Sequence, residues 1–147
     1  MRLSKRGEYG IRAMLYMARA AAAAPGELVQ IKQIAENENI PIKYLEQIML
    51  TMRHAGLLHS RMGVGGGYQL AKPAASLNLG QIVRTLDGPL APVNCVSHMA
   101  YEPCDCPDEA TCGLRLAMLD VRNNIASVLD NTTLADIVSR TSALAGK

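Results

Sequence analysis

The sequence predicts a mainly α chain with one small β-hairpin. Three observations carry that prediction. Apolar residues make up 49% of the 147 positions, yet there is no Trp and no Phe. The core must therefore come from Leu, Ile, Val, Met and Ala, which favours packed helices over a β-sandwich. Apolar positions recur at helical spacing through successive segments. Between two of these segments lies a glycine run, Met62-Gly63-Val64-Gly65-Gly66-Gly67, flanked by short β-compatible stretches.

The first helix is predicted over residues 4–22, with Ser4 as its cap and Ile11, Met14, Leu15 and Ala18 on one face. Pro25-Gly26 stops it. A short second helix runs from Ile31 to about Glu38. A third spans Pro41 to His54, with Pro41 in the first turn and Ile42, Leu45, Ile48, Met49 and Met52 as its buried stripe. The hairpin strands are Leu57–Arg61 and Tyr68–Lys72. Asn78 caps a helix ending near Asp87, with Gln81 completing a capping box. Residues 88–112 show no period and contain all four cysteines; so long a loop needs a function or an ordering agent. A long helix follows from Gly113 to Leu129, carrying Leu114, Met118, Val121, Ile125, Val128 and Leu129 as one continuous apolar seam. A last helix begins at Thr133, with Asp136 in the capping-box position. Met14, Met17, Met49, Met52 and Met118 read as core filler.

Two regions are expected, 1–80 and 81–147. Ten Lys/Arg against five Asp/Glu give the first a charge of +5, and five against eight give the second −3. No apolar stretch is long enough for a membrane span, and the N-terminus has no apolar signal core. The expected location is cytoplasmic, where cysteines are reduced, metal-bound or redox-active rather than in structural disulfides.

Three helices followed by a glycine-rich hairpin, with excess positive charge, form the winged helix-turn-helix pattern. The polar face of the third helix carries Lys43, Tyr44, Glu46, Gln47 and Arg53. Such a face suits the major groove of double-stranded DNA. In the wing, Arg61 supplies charge, and Gly63, Gly65 and Gly66 let the backbone approach the duplex closely. A nucleotide-binding loop fails on context: the run lacks the Lys-Ser/Thr of a P-loop and a strand follows it.

The stretches MRLSKRGEYGIRAMLYMA, IPIKYLEQIM, GLLHSRMGVGGGYQLAKPA, the cysteine loop and NTTLADIV, in that order, resemble the IscR/NsrR family of iron–sulfur transcriptional regulators over nearly the whole chain. The resemblance implies a homodimer on a palindromic operator, joined through the long helix after the cysteines. It departs at the wing, where Met62 stands in the place of an Arg that often precedes the first glycine.

The cysteine spacing is Cys95-x8-Cys104-x-Cys106-x5-Cys112, unlike a zinc ribbon or a thioredoxin site. The loop holds Glu102, Asp105, Asp108 and Glu109 but no Lys or Arg, so a bound metal centre is the better agent to keep its thiols ionised. The resemblance implies a cluster, 2Fe-2S or 4Fe-4S, on Cys95, Cys106 and Cys112, with Cys104 as an extra thiol. A His found in some relatives three residues after the last cysteine is Arg115 here. Glu8, reached from a partner subunit, takes the place of an acidic ligand found in others; His98, Glu102 and Cys104 remain alternatives. A structural zinc or a metal-free thiol switch are the rival readings of the cysteines. An electron-transfer or thiol-redox enzyme is the rival from another class, with no acid–base pair or small-molecule substrate site in view.

Overall fold

The computed structural model describes residues 2–146. Among these residues are six α-helices, three single 3-10 turns and one two-stranded antiparallel sheet, the main elements being α1 (Lys5–Ala23), α2 (Ile31–Glu38), α3 (Ile42–His54), β1 (Leu58–Arg61), β2 (Gly67–Leu70), α4 (Leu79–Asp87), α5 (Gly113–Asp130) and α6 (Leu134–Ala145). Every predicted helix is present. The predicted caps also hold: Ser4 accepts the Gly7 amide, and both Asn78 and Thr133 form reciprocal capping boxes with Gln81 and Asp136. Pro41 sits one place earlier than expected, as the cap before α3, and its carbonyl accepts the Leu45 amide at 3.0 Å. Among the described residues no helix is long and apolar enough to cross a membrane.

Ala13, Met14, Ile34, Leu45, Ile48, Met49 and Met52 are fully buried where α1, α2 and α3 meet. The unbranched thioethers of Met14, Met49 and Met52 fill irregular space that the missing aromatics would otherwise occupy. The same core takes in Leu77, Ile82 and Leu86 around α4 and Leu134 at the start of α6, so it draws on both sides of residue 80. Ile42 departs from the expected stripe: it is 41% exposed, because the first turn of α3 projects beyond the helices that cover Leu45 and Ile48.

Two features of the frame have no periodic signal. Val29 exchanges both backbone hydrogen bonds with Tyr68, at 2.8 and 2.7 Å, adding a one-residue third strand to the hairpin. Asn78 and Thr133 pair in an isolated antiparallel bridge, with Leu79 N–H donating to Thr132 and Leu134 N–H to Leu77, each at 2.9 Å. The starts of α4 and α6 are thus joined side by side. Arg84 forks onto Asp130 at 2.5 and 2.9 Å, tying α4 to the end of α5 and holding the Asp130 carboxyl below its usual range.

The helix α5 corrects the expected single seam. Met118, Ile125 and Leu129 are half-buried, and Ile125 and Leu129 pack against the small cluster of Val83, Leu90 and Ala126. Leu114, Val121 and Val128 stand outward, 63%, 40% and 64% exposed, at seven-residue intervals. The apolar residues therefore serve two faces, one turned to the chain itself and one left bare.

Candidate nucleic-acid interface and thiol loop

On α3, Lys43, Tyr44, Glu46 and Gln47 are all exposed, as the polar face of that helix requires. Their backbone is firmly held. Arg6 donates to Thr51 Oγ1 at 2.7 Å, and that hydroxyl donates to the Gln47 carbonyl at 3.0 Å. Tyr44 meets Tyr9 edge-on, with ring centroids 5.6 Å apart and an interplanar angle of 82°, and Arg12 lies 5.5 Å from the Tyr9 ring centre. Arg53 occupies a different position from the other four. It is half-buried and donates to Ser60 Oγ at 3.0 Å, so it braces the wing against α3.

The wing runs antiparallel from Leu58 opposite Leu70 to Arg61 opposite Gly67. Arg61 is exposed at its shoulder, and His54 and His59 are exposed nearby. Gly63 and Gly65 adopt φ of 91° and 77°, which branched residues avoid. Gly66 has no room for a side chain: a Cβ there would collide with the Arg61 carbonyl and lie 2.8 Å from that of Gly63. These glycines fix the shape of the turn as well as opening it. The tip itself carries Met62 and Val64, both almost wholly exposed.

The cysteine loop is ordered by polar contacts that the sequence did not disclose. Cys95 is buried in a single helical turn, Asn94–Val96. Asn94 Nδ2 donates to Glu102 at 2.9 Å, closing the segment between them. Glu109 accepts from the Tyr101 hydroxyl at 2.5 Å and from the Cys104 amide at 2.7 Å; both contacts hold its carboxyl below the usual range. Asp108 caps a second short turn, Glu109–Thr111, through the Ala110 amide.

Cys104 and Cys106 are neighbours in this loop, and Cys112 lies close enough to perturb Cys106. The Cys106 amide donates to Cys104 Sγ at 3.3 Å. Desolvation in the loop, followed by these neighbouring sulfurs, pushes the Cys106 thiol up to about 11. Cys95 stands apart from this trio. Arg115 closes that side, its Nε donating to the Cys95 carbonyl at 3.4 Å. A cation from α5 therefore reaches a loop that has none of its own. Glu8 is half-exposed on the first turn of α1 and paired with Lys5 at 2.9 Å. It lines an open groove of about 1050 Å³ with Ile11, Val83, Asp87, Leu90 and Leu129, away from the thiols of its own chain. Among the described residues, no three His, Cys, Asp or Glu side chains of the single chain converge to hold a metal ion.

Known proteins match this architecture closely. The solved structure of CymR, the global cysteine regulator of Bacillus subtilis, superposes with a TM-score of 0.78 at 31% identity, over 95% of this chain and 98% of that one. In sequence, the Bacillus subtilis HTH-type transcriptional regulator CymR is 34% identical over 96% of this chain and 92% of its own length. The HTH-type transcriptional regulator IscR of Escherichia coli is 31% identical, over 98% of this chain and 84% of its own. The model of the Rrf2 family, described as iron-dependent transcriptional regulators, matches residues 3–140. With the winged helix, the exposed polar face of α3 and this match along almost its entire length, the chain belongs to the Rrf2 family and is a transcriptional regulator, not an enzyme.

Proposed function

We propose that the protein works in the cytoplasm as a homodimer that reads a palindromic operator, usually as a repressor, under the control of an iron–sulfur cluster in its cysteine loop. The observation that carries the reading is the placement of Leu114, Val121 and Val128 outward on the helix that begins directly after Cys112. A bare apolar face of that spacing finds cover most simply against its own copy. A dimer so built sets two α3 helices about 34 Å apart, one turn of the duplex. If each subunit neutralises about four phosphates, log K falls against log salt with a slope on the order of −7.

The donor chemistry of the loop suits a cluster: soft thiols on short turns, with the Arg115 cation close by. Cys95, Cys106 and Cys112 would hold it, with Glu8 of the partner subunit or Cys104 completing the set. Such a cluster supplies a centre sensitive to nitric oxide, redox state or iron supply. The chain's own part is to bring Cys95 out of its turn toward the thiol trio, and to free Glu8 from Lys5. Both changes act on segments joined to α1 and α5, so they bias how the two reading heads are held.

Anaerobically purified protein is expected to be brown, with iron and sulfide in stoichiometric amounts, and to change operator affinity about 10- to 100-fold between its holo and apo forms. Exchanging Cys95, Cys106 and Cys112 together for Ser should abolish both colour and response; unchanged colour and promoter occupancy would falsify the cluster reading. A second reading rests on the closeness of Cys106 to Cys104, whose Sγ accepts the Cys106 amide at 3.3 Å. These thiols alone form a metal-free switch, or hold a structural zinc. Colourless protein with stoichiometric zinc selects the latter, and thiol-dependent operator binding without metal selects the former.

A further inference from the structure

The wing tip has two large apolar side chains in water. Met62 is 86% exposed and Val64 fully so, and no core is near enough to take them. They are not loosely presented. Gly63 and Gly65 turn the chain through positive φ, the Gly66 amide donates back to the Gly63 carbonyl at 3.0 Å, and Gly66 leaves no space for a side chain. At the base, the Val29–Tyr68 pair anchors β2, and the Arg53–Ser60 hydrogen bond fixes β1 to the reading helix. The tip and α3 are therefore one rigid piece, continuous with the DNA-reading face.

We propose that Met62 and Val64 form an apolar wedge that enters the minor groove beside the major-groove site of α3 and selects against G·C pairs there. The proposal rests on the reading of α3 as the base-contacting helix. The Met62 and Val64 side chains carry no charge and gain nothing from phosphates. They gain by burying their surface on sugar edges and on the groove floor. On that floor the exocyclic amino group of guanine protrudes and demands a hydrogen-bond acceptor, which neither side chain has. An A·T pair leaves the space open. Arg61 on the shoulder supplies the phosphate contact that keeps the wedge seated.

The test begins with an operator selected from random DNA by the full-length protein at fixed salt. Hydroxyl-radical footprinting locates the pairs facing the wing, and these are then made as A·T, G·C or inosine·C, the last lacking the amino group. The wild type should bind A·T and inosine·C alike and G·C about tenfold more weakly, the range expected when one amino group is left unpaired against an apolar surface. The double variant Met62→Ala, Val64→Ala should bind more weakly, ignore the exchange and keep its salt slope, since no phosphate contact is removed. Its melting temperature should stay unchanged. Equal affinity of the wild type for all three duplexes, or discrimination retained by the variant, overturns the wedge. So does a variant that alters only the oligomeric state, which would assign the tip to contact between copies. Failure of the underlying reading looks different: the wild type then selects no sequence at all, and both fall.

Discussion

The reading head and the cysteine loop are held together by opposite means. In α1–α3 the side chains of Met14, Ile34, Leu45, Ile48 and Met49 are wholly buried, whereas none of residues 98–125 is buried. The head gains its stability from apolar area removed from water. The loop gains its shape from a few carboxylates: Glu102 on Asn94, Glu109 on Tyr101 and Cys104, and Asp108 on its own turn. Polar contacts in water are worth little each and exchange readily with solvent. Stability and responsiveness have thus been allotted to different stretches of one chain. The part that carries α3 is built around a dry core, and the stretch from residue 98 to 112 is tied mainly by exposed polar contacts.

The sharpest way to break this contrast is at the centre of the head. Leu45→Ala should cost about 3 kcal/mol in urea unfolding and weaken operator binding through loss of folded protein. A cost below about 1 kcal/mol would mean that the head is not the stable partner. The second effect falls on the bare face of α5. Val121→Glu should shift the proposed dimer toward monomer in sedimentation and lower operator affinity about 30-fold, or ~2 kcal/mol, with the helix content by circular dichroism kept. An unaltered dimer would show that this face is covered by something else.

A smaller effect is expected at the joint between the two regions. Asp130 is held low by Arg84, so its contribution is present above its ordinary value near pH 3.9 and is lost as pH falls through the lower folded value. Asp130→Asn should therefore cost about 1 kcal/mol or less at pH 7, solvent screening being appreciable at this partly exposed pair, and progressively less as pH falls through the lowered folded value. The smallest effect concerns the loop alone. Glu109 is likewise held low, so acidification through its folded value should release Tyr101 and the Cys104 amide. Tyr101→Phe should speed hydrogen exchange at the Cys104 amide at about pH 7 while leaving the global melting temperature unmoved. A fall in melting temperature would mean that the loop shares in the core after all.

Helix starts and the wing turn are legible in the sequence because their signals are local. Ser4, Asn78 and Thr133 mark helix starts by what their side chains do three residues on, and the glycine run can only be a tight turn. The unperiodic or distant contacts were not legible. One residue, Val29, makes a strand with Tyr68, and a single residue has no period. Arg115 lies twenty positions from the Cys95 carbonyl that it caps, and Tyr101 eight from Glu109. Periodicity found the apolar residues of α5 but could not divide them, because a face turned to its own chain and a face turned outward obey the same spacing. For the candidate site, the exposed Lys43, Tyr44, Glu46 and Gln47 follow from helix phase alone, while the bracing role of Arg53 depends on where the wing folds.

The pairing of Asn78 with Thr133 has a mechanical consequence. It turns everything from α4 through α5 into an excursion whose two ends leave and re-enter the frame at one point. A disturbance along that excursion reaches the head at this clasp and through Ile82 and Leu86 of α4, which share the core with α1, without unthreading any strand or helix. The thiols sit on a bail rather than on a tail, and pulling on a bail tilts the whole vessel.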